Sequence, residues 1–316
     1  MSLYLITGGC GFIGSHIAEA LAGEGHAIRA FDNLSSGKLE NLRGFEAAVE
    51  VVRGDIRDEA ALRAALRGVE YVFHEAALVS VAVSVQQPEE NEAINVRGTL
   101  NVLQAARASG VRRVVLASSA AVYGNNPELP KREDMTPEPE SPYALGKLAG
   151  EHYLRLFSRL YGLETVALRY FNVYGPRQDA GSMYSGVISR FADDLGAGRA
   201  PTLFGDGLQT RDFVFVKDVA RANLLAMRSP QAGQGEVFNV ATGRQTSLLE
   251  LLETLQAITG RRVAPQFREA RAGDIRHSLA DIGRSRATLG YEPGFDLDAG
   301  LRALVGEAVR PERLPA

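Results

Sequence analysis

The chain has 316 residues, 45% of them hydrophobic and 23% charged, with a formal net charge of −3. That balance excludes a general nucleic-acid or membrane-surface binder and fits a globular protein of one large α/β domain or two ordinary ones. One cysteine, Cys10, excludes an intramolecular disulfide, and no apolar run approaches the roughly 18–20 residues of a spanning helix. The N-terminus, MSLYLITGG, enters a strand at once, leaving no room for a signal peptide, so a cytoplasmic protein is expected. Strands are predicted at 4–7, 27–31, 49–52, 71–74, 114–118 and 166–169. Helical periodicity lies between them at 14–24, 59–66, 90–109 and 143–161. This alternation implies a Rossmann-type doubly wound parallel sheet. Residues 125–142 are a Pro-rich polar loop of a length suited to a flap. Beyond it, the turn clusters NVYGPRQ, LFGDGLQ and REARAGD break the rhythm, while FVFVKDVA and EVFNVATG read as strands near 212–218 and 236–241 that return to the sheet. The expected division is a sheet domain over 1–172 plus those strands, and a smaller, discontinuous α/β domain over 173–316. The second would lie across the carboxyl ends of the strands, where ligands bind in such folds.

TGGCGFIG (7–14) leaves the first strand and opens the first helix. Gly8, Gly11 and Gly14 allow a backbone to approach a pyrophosphate, which would meet the free amides of the first turn around Phe12 and Ile13. Asp32 ends the second strand, where a carboxylate binds a ribose 2′-hydroxyl and repels a 2′-phosphate. Asn33 and Leu34 bring no cation, so the cofactor expected is NAD rather than NADP. Cys10 reads as a small residue of this loop, not a reactive thiol. SPYALGK (141–147) sets Tyr143 one helical turn before Lys147, in a chain with 31 arginines and only four lysines. An ammonium beside a phenol favours the phenolate, which is how a tyrosine becomes a base. The five histidines show no metal-ligand spacing, so no metal is expected, and no G-x-S-x-G elbow points to a hydrolase.

Taken in order, TGGCGFIG, DNLSSGK, GDIRD, HEAA, SSAAVYG, SPYALGK and LRYFNVYGPRQ resemble the extended short-chain dehydrogenase/reductase family. Within it the sequence is most similar to nucleotide-sugar 4-epimerases of the UDP-galactose/UDP-N-acetylhexosamine type. The resemblance implies that Lys147 binds the nicotinamide ribose and lowers the Tyr143 pKa. Tyr143 then exchanges a proton with a sugar hydroxyl while Ser119 assists. It also implies cofactor contacts from Asn33, Ser36 and Gly37, with Asp55 and Ile56 at the adenine, Ala76 and Ala77 at the pyrophosphate, and Asn95 and Tyr170 elsewhere. Substrate contacts would come from Ser80 and Ser119, from Asn172, and from Val187, Thr202 and Phe204 around a uracil. Arg211, Arg271 and Asp274 would hold the diphosphate and a ribose. Ser278, a small residue near C2 of the sugar, would leave room for an N-acetyl group. Ala120 follows Ser119 where dehydratases and decarboxylases of the family carry an acid, and an alanine can do no proton transfer. The implied reaction is C4 epimerisation of UDP-glucose/UDP-galactose, and of their N-acetylated forms, through a 4-keto sugar with tightly bound NAD. UDP-glucuronate 4-epimerisation, decarboxylation or dehydration on the same fold, and non-catalytic NAD sensing are the alternatives. Val79 and Gly186 depart from galactose-type relatives, which often carry lysine and asparagine there. The partner expected, besides the UDP-sugar, is a second copy of the chain through a four-helix contact; neither nucleic acid nor membrane is.

Overall fold

The computed structural model describes residues 2–179, 186–270 and 275–308. Its first part runs β1 (Leu3–Thr7), α1 (Phe12–Gly23), β2 (Ala27–Asp32), β3 (Val49–Arg53), α2 (Glu59–Ala65), β4 (Tyr71–His74), α3 (Val81–Gln86) and α4 (Pro88–Asn91). A π-helical turn over Glu92–Gly98 leads into α5 (Thr99–Ala108), then β5 (Arg113–Ser119), α6 (Pro142–Tyr161) and β6 (Glu164–Tyr170). The second part continues with β7 (Asn172–Tyr174), α7 (Val187–Gly196), β8 (Thr202–Phe204), β9 (Thr210–Arg211), β10 (Phe213–Phe215), α8 (Val216–Arg228) and β11 (Gln234–Val240). It closes with β12 (Thr246–Ser247), α9 (Leu248–Thr259), β13 (Gln266–Arg268), α10 (Gly283–Leu289) and α11 (Leu297–Ala308).

Seven parallel strands form the main sheet in the order β11-β6-β5-β4-β1-β2-β3. The chain winds outward from β1 to β3 and then returns to β4 on the other side of β1. Strand order therefore reverses between β1 and β4, which opens a crevice at their carboxyl ends. Side chains alternate between two buried layers, as a period of two requires. Ile6, Phe73, Val115, Leu168 and Phe238 pack with α1 and α8. Leu5, Val72, Val114, Leu116 and Ala167 pack with α2, α5 and α6. A separate apolar cluster, including Ile188, Phe191, Leu203, Phe215, Leu251 and Leu301, sits among α7, α9 and α11.

Each strand predicted in the first half is present, and EVFNVATG does return to the sheet as β11 beside β6. The expectation for FVFVKDVA needs correction. Only Phe213–Phe215 is strand, it pairs with β7 in a small sheet of its own, and α8 starts at Val216. FVFV is a continuous buried apolar run, and from Val216 onward the buried residues Val216, Val219, Ala220, Asn223 and Met227 fall at helical spacing. The predicted helix 90–109 follows a continuous path but is widened at Glu92–Gly98. The loop 125–142 is no free flap. Lys131 bridges to Ala280, its amide donates to Leu279 O at 2.8 Å, and Asn239 Nδ2 donates to Lys131 O at 2.9 Å.

Arg113 shows why a charge can lie inside such a core. Its guanidinium donates to Ala226, Met227, Ser229 and Ala232 carbonyl oxygens at 2.7–3.0 Å, satisfying the C-terminal end of α8.

Candidate functional site

At the crevice, glycines are needed for close packing. Gly8 has φ +69°, and a Cβ there would lie 2.8 Å from the Ala76 amide nitrogen; one at Gly14 would lie 2.2 Å from Gly8 O. The N-cap of α1 is Gly11, so no side chain caps the helix, and its first turn holds no acid. The amides of Phe12, Ile13 and Gly14 are thereby left for an anion. Asp32 is 6% exposed and fixed at the end of β2 by the amides of Cys10 (2.9 Å) and Leu34 (2.8 Å). A Cβ on Gly37 would lie 2.7 Å from Asp32 Oδ2, so the loop holding Ser36 and Gly37 folds over that carboxylate. An uncapped helix N-terminus, a glycine cradle and a buried acid suit the diphosphate and ribose of NAD. Burial pushes the Cys10 thiol up to about 12, as expected of a packing residue.

The other expected cofactor residues have partners inside the protein. Asn33 Nδ2 donates to Asp55 at 2.9 Å, and Arg57 holds the Asp55 carboxyl well below the usual range. Ile56 is buried under Gly98, whose Cβ would meet it at 2.6 Å. The Ala76 amide donates to Thr7 Oγ1 at 3.2 Å, and Ala77 follows it in the turn that leaves β4. Asn95 Oδ1 accepts from the Leu78 amide at 2.9 Å, and Asn95 Nδ2 donates to Leu78 O at 2.9 Å and Asn91 Oδ1 at 2.7 Å. Its side chain therefore shapes the turn beside the crevice. The Tyr170 hydroxyl donates to Glu75 Oε1 at 3.0 Å and accepts from Asn223 Nδ2 at 2.7 Å.

Ser119, Tyr143 and Lys147 come together at the carboxyl end of β5. Ser141 caps α6 by accepting from Ala144 N at 3.1 Å, Pro142 occupies its first position, and Ser84 of α3 accepts from Tyr143 N at 3.1 Å. These contacts fix how Tyr143 enters the cleft. Lys147 is 6% exposed, and its Nζ donates to Ala117 O at 2.7 Å, 5.8 Å from the Tyr143 ring centroid. Ser119 lies close enough to the Tyr143 phenol to lower its pKa, and its Oγ accepts from Ala121 N at 3.1 Å. Burial raises the Tyr143 pKa, with Ser119 pulling it back. The phenol thus rests protonated in this state.

A second cleft, of about 590 Å³, opens among α7, β8, β9 and α9. Asn172, Val187, Thr202, Phe204 and Arg211 line it, together with Arg190, Asp194, Gln209 and Arg268, which the motifs did not single out. Arg211 follows Thr210, to whose carbonyl its Nη1 donates at 2.9 Å. Next to it, Asp212 is fully buried and accepts from Thr242 N (2.8 Å), Thr242 Oγ1 (2.6 Å), Gly243 N (2.9 Å) and Ala280 N (3.2 Å). That carboxylate anchors the strand carrying Arg211, and the spacing QTRDF held the only sign of it. The Ser278 amide donates to Thr210 O at 3.1 Å, which puts Ser278 beside β9. Ser80 does not line this cleft; it caps α3 by accepting from Val83 N at 3.1 Å. Val79 is 70% exposed. Arg271 and Asp274 lie outside the described residues. Among the described residues there is no His/Cys/Asp/Glu group able to hold a metal, and no helix long and apolar enough to cross a membrane.

Residues 4–241 match the model of the NAD dependent epimerase/dehydratase family. A UDP-glucose 4-epimerase of Mycolicibacterium smegmatis is 43% identical over 310 residues, covering 95% of this chain and 96% of the relative. The crystal structure of Thermotoga maritima UDP-glucose 4-epimerase with UDP-glucose superposes with a TM-score of 0.91 at 41% identity, covering 96% of this chain and 97% of that one. The UDP-N-acetylglucosamine 4-epimerase of Methanobrevibacter ruminantium, in complex with UDP-N-acetylmuramic acid, gives 0.93 at 40% identity over 98% of both chains. The chain belongs to the NAD dependent epimerase/dehydratase family.

Proposed function

From that membership we propose that the chain is an NAD-dependent UDP-sugar 4-epimerase, with Tyr143, Ser119 and Lys147 as its catalytic group. The observation that carries this reading is their convergence at the end of β5, with Ala120 in place of a further acid. Tyr143 takes the proton of the sugar 4-hydroxyl, Ser119 steadies that oxygen, and Lys147 supplies the positive charge that the phenolate needs. NAD, which the glycine loop and Asp32 would hold, would supply the hydride chemistry at C4 of the sugar. Arg211 and Asn172 hold the diphosphate in the second cleft, and Val187, Thr202 and Phe204 enclose the uracil. Binding energy is thus placed on the UDP, remote from the reacting carbon, so that the 4-keto sugar can turn about its diphosphate link.

The substrates are UDP-glucose and UDP-galactose together with their N-acetylated forms, the latter because Ser278 leaves space near C2. The sheet domain spans 1–172 with β11 returning to it, and 173–316 binds the nucleotide sugar; the separate core among α7, α9 and α11 supports this division. The expected oligomer is a homodimer, supported by the exposed stripe Leu145, Leu156 and Leu160 along α6. Its expected compartment is the cytoplasm, consistent with the one buried thiol.

Incubation with UDP-sugars, read by NMR of the anomeric region and by mass, tests the reading. The expected product has the inverted C4 configuration at unchanged mass. Loss of water or carbon dioxide would overturn it in favour of a lyase.

A further inference from the structure

α6 carries both Tyr143 and Lys147, so its height against the sheet decides how they meet Ser119 and the end of β5. One turn beyond Lys147 on the same face stands Glu151, a buried acid with no part in the proton transfer. Three consecutive residues of β5 receive these three side chains. Ser119 lies beside the Tyr143 phenol, Ala117 O accepts from Lys147 Nζ at 2.7 Å, and Ser118 Oγ donates to Glu151 Oε1 at 2.5 Å. Ser118 and Arg169 are cross-strand neighbours on β5 and β6, on the side of the sheet where Leu116 and Ala167 pack against α6. Arg169 forks onto the same carboxylate, Nε donating to Oε1 at 2.9 Å and Nη2 to Oε2 at 2.7 Å. Glu151 thus accepts three bonds and donates none, as an ionised carboxylate does. The two charged side chains are 3% and 4% exposed. We propose that Ser118, Glu151 and Arg169 are positioning residues for the proton transfer: the carboxylate, held from two strands at once, fixes α6 at the height where Tyr143 meets Ser119 and Lys147 meets Ala117 O.

The remaining polar ties of α6 lie elsewhere along it. At its start, Ser84 of α3 accepts from Tyr143 N at 3.1 Å and Asn91 of α4 donates to Pro142 O at 2.8 Å, both from outside the sheet. Toward its end, Leu154 O accepts from Thr165 Oγ1 at 2.8 Å and Ser158 Oγ donates to Gly233 O at 3.1 Å, at the far end of β6. Between them α6 lies close on β5, where a Cβ on Gly150 would come within 2.9 Å of Leu116 Cδ2. A planar guanidinium fork is directional, so it resists both sliding and rolling of the helix, which a single hydrogen bond does not. Arg169 is itself held in place. Its Cζ lies 4.6 Å over the ring of Tyr123, whose hydroxyl donates to Asn239 Oδ1 at 2.7 Å. Its Nη1 has no hydrogen-bond partner among the described residues, so Glu151 is the anion on which its charge depends. Eight residues of helix, about 12 Å, separate Glu151 from Tyr143, and a shift at one end is carried to the other.

The effect on rate rests on the epimerase reading; the placement of Tyr143 does not. The double variant Glu151→Leu/Arg169→Met replaces the pair by apolar side chains of similar volume, an exchange that often leaves stability intact. Its melting temperature is expected near that of the wild type, with kcat lower by ~10–10²-fold and KM for UDP-glucose within about twofold. A pair that served stability alone would leave kcat unchanged in this variant. Ser118→Ala removes only the tie to β5 and is expected to lower kcat by ~3–10-fold at unchanged KM. Placement is read separately by fluorine NMR of the fluorotyrosine-labelled full-length enzyme, which has ten tyrosines, with Tyr143→Phe assigning the signal. The Tyr143 signal moves in both variants. Wild-type kcat or an unmoved Tyr143 signal in the folded double variant overturns the proposal. If that variant does not fold, either result in Ser118→Ala does so. A moved Tyr143 signal in an enzyme whose wild type epimerises nothing keeps the positioning and refutes the reaction.

Discussion

The two halves of the site are built differently. At the ends of β2 and β5 and the start of α6, the chemistry rests on short backbone-anchored contacts: Asp32 on two amides, Lys147 on Ala117 O, and Tyr143 N on Ser84. In the second cleft, long side chains from α7, β9 and β13 converge on a space of about 590 Å³. Sheet ends set positions to within a hydrogen bond, as proton transfer demands. A cleft walled by arginines suits a diphosphate and would tolerate variation in the sugar beyond it. Under the proposed reaction, rigidity falls where protons move, and adaptability where the substrate turns.

Four substitutions probe this contrast. Tyr143→Phe should reduce kcat by ~10²–10⁴-fold, the usual worth of a positioned acid–base group, with an unchanged melting profile. Substantial residual turnover would place the base elsewhere. Lys147→Arg keeps the charge but cannot reproduce a compact ammonium on Ala117 O, so activity should fall by at least ~10-fold at unchanged charge. Wild-type kinetics for this variant would show that charge alone suffices. In the second region, Asp212→Asn replaces an acceptor of four donors by an amide and should cost roughly 2 kcal/mol, read as a lower denaturant midpoint. It should raise KM for the UDP-sugar more than it lowers kcat, since it loosens Arg211 rather than Tyr143. The smallest effect is expected at Ser278→Tyr, which should disfavour N-acetylated over plain sugars and leave UDP-glucose turnover within ~2–3-fold. Equal turnover of both sugars in that variant would remove Ser278 from the sugar pocket.

Much of the first half was legible because short apolar β-branched runs such as VVLASS and the glycine loop carry their own geometry. FVFVKDVA misled because a short apolar run leads straight into a helical one, and only tertiary packing decides where the strand stops. Glu75 was visible as a residue but not as a partner: Tyr170 is 95 positions away, and their meeting depends on strand order. Asp212 was hidden for the same reason, since its donors come from 242, 243 and 280. Likewise, spacing placed Tyr143 and Lys147 on one helix face but could not show that the ammonium is held on Ala117 O or that burial raises the phenol's pKa.

Oxidation and reduction at a single carbon can be tested by running the reaction with UDP-glucose in heavy water. C4 epimerisation as described here predicts UDP-galactose of unchanged mass, with no deuterium at C4 after many turnovers. Deuterium at C4 would mean that the carbon exchanges with solvent, and would contradict a hydride held within the site between the two halves of the reaction.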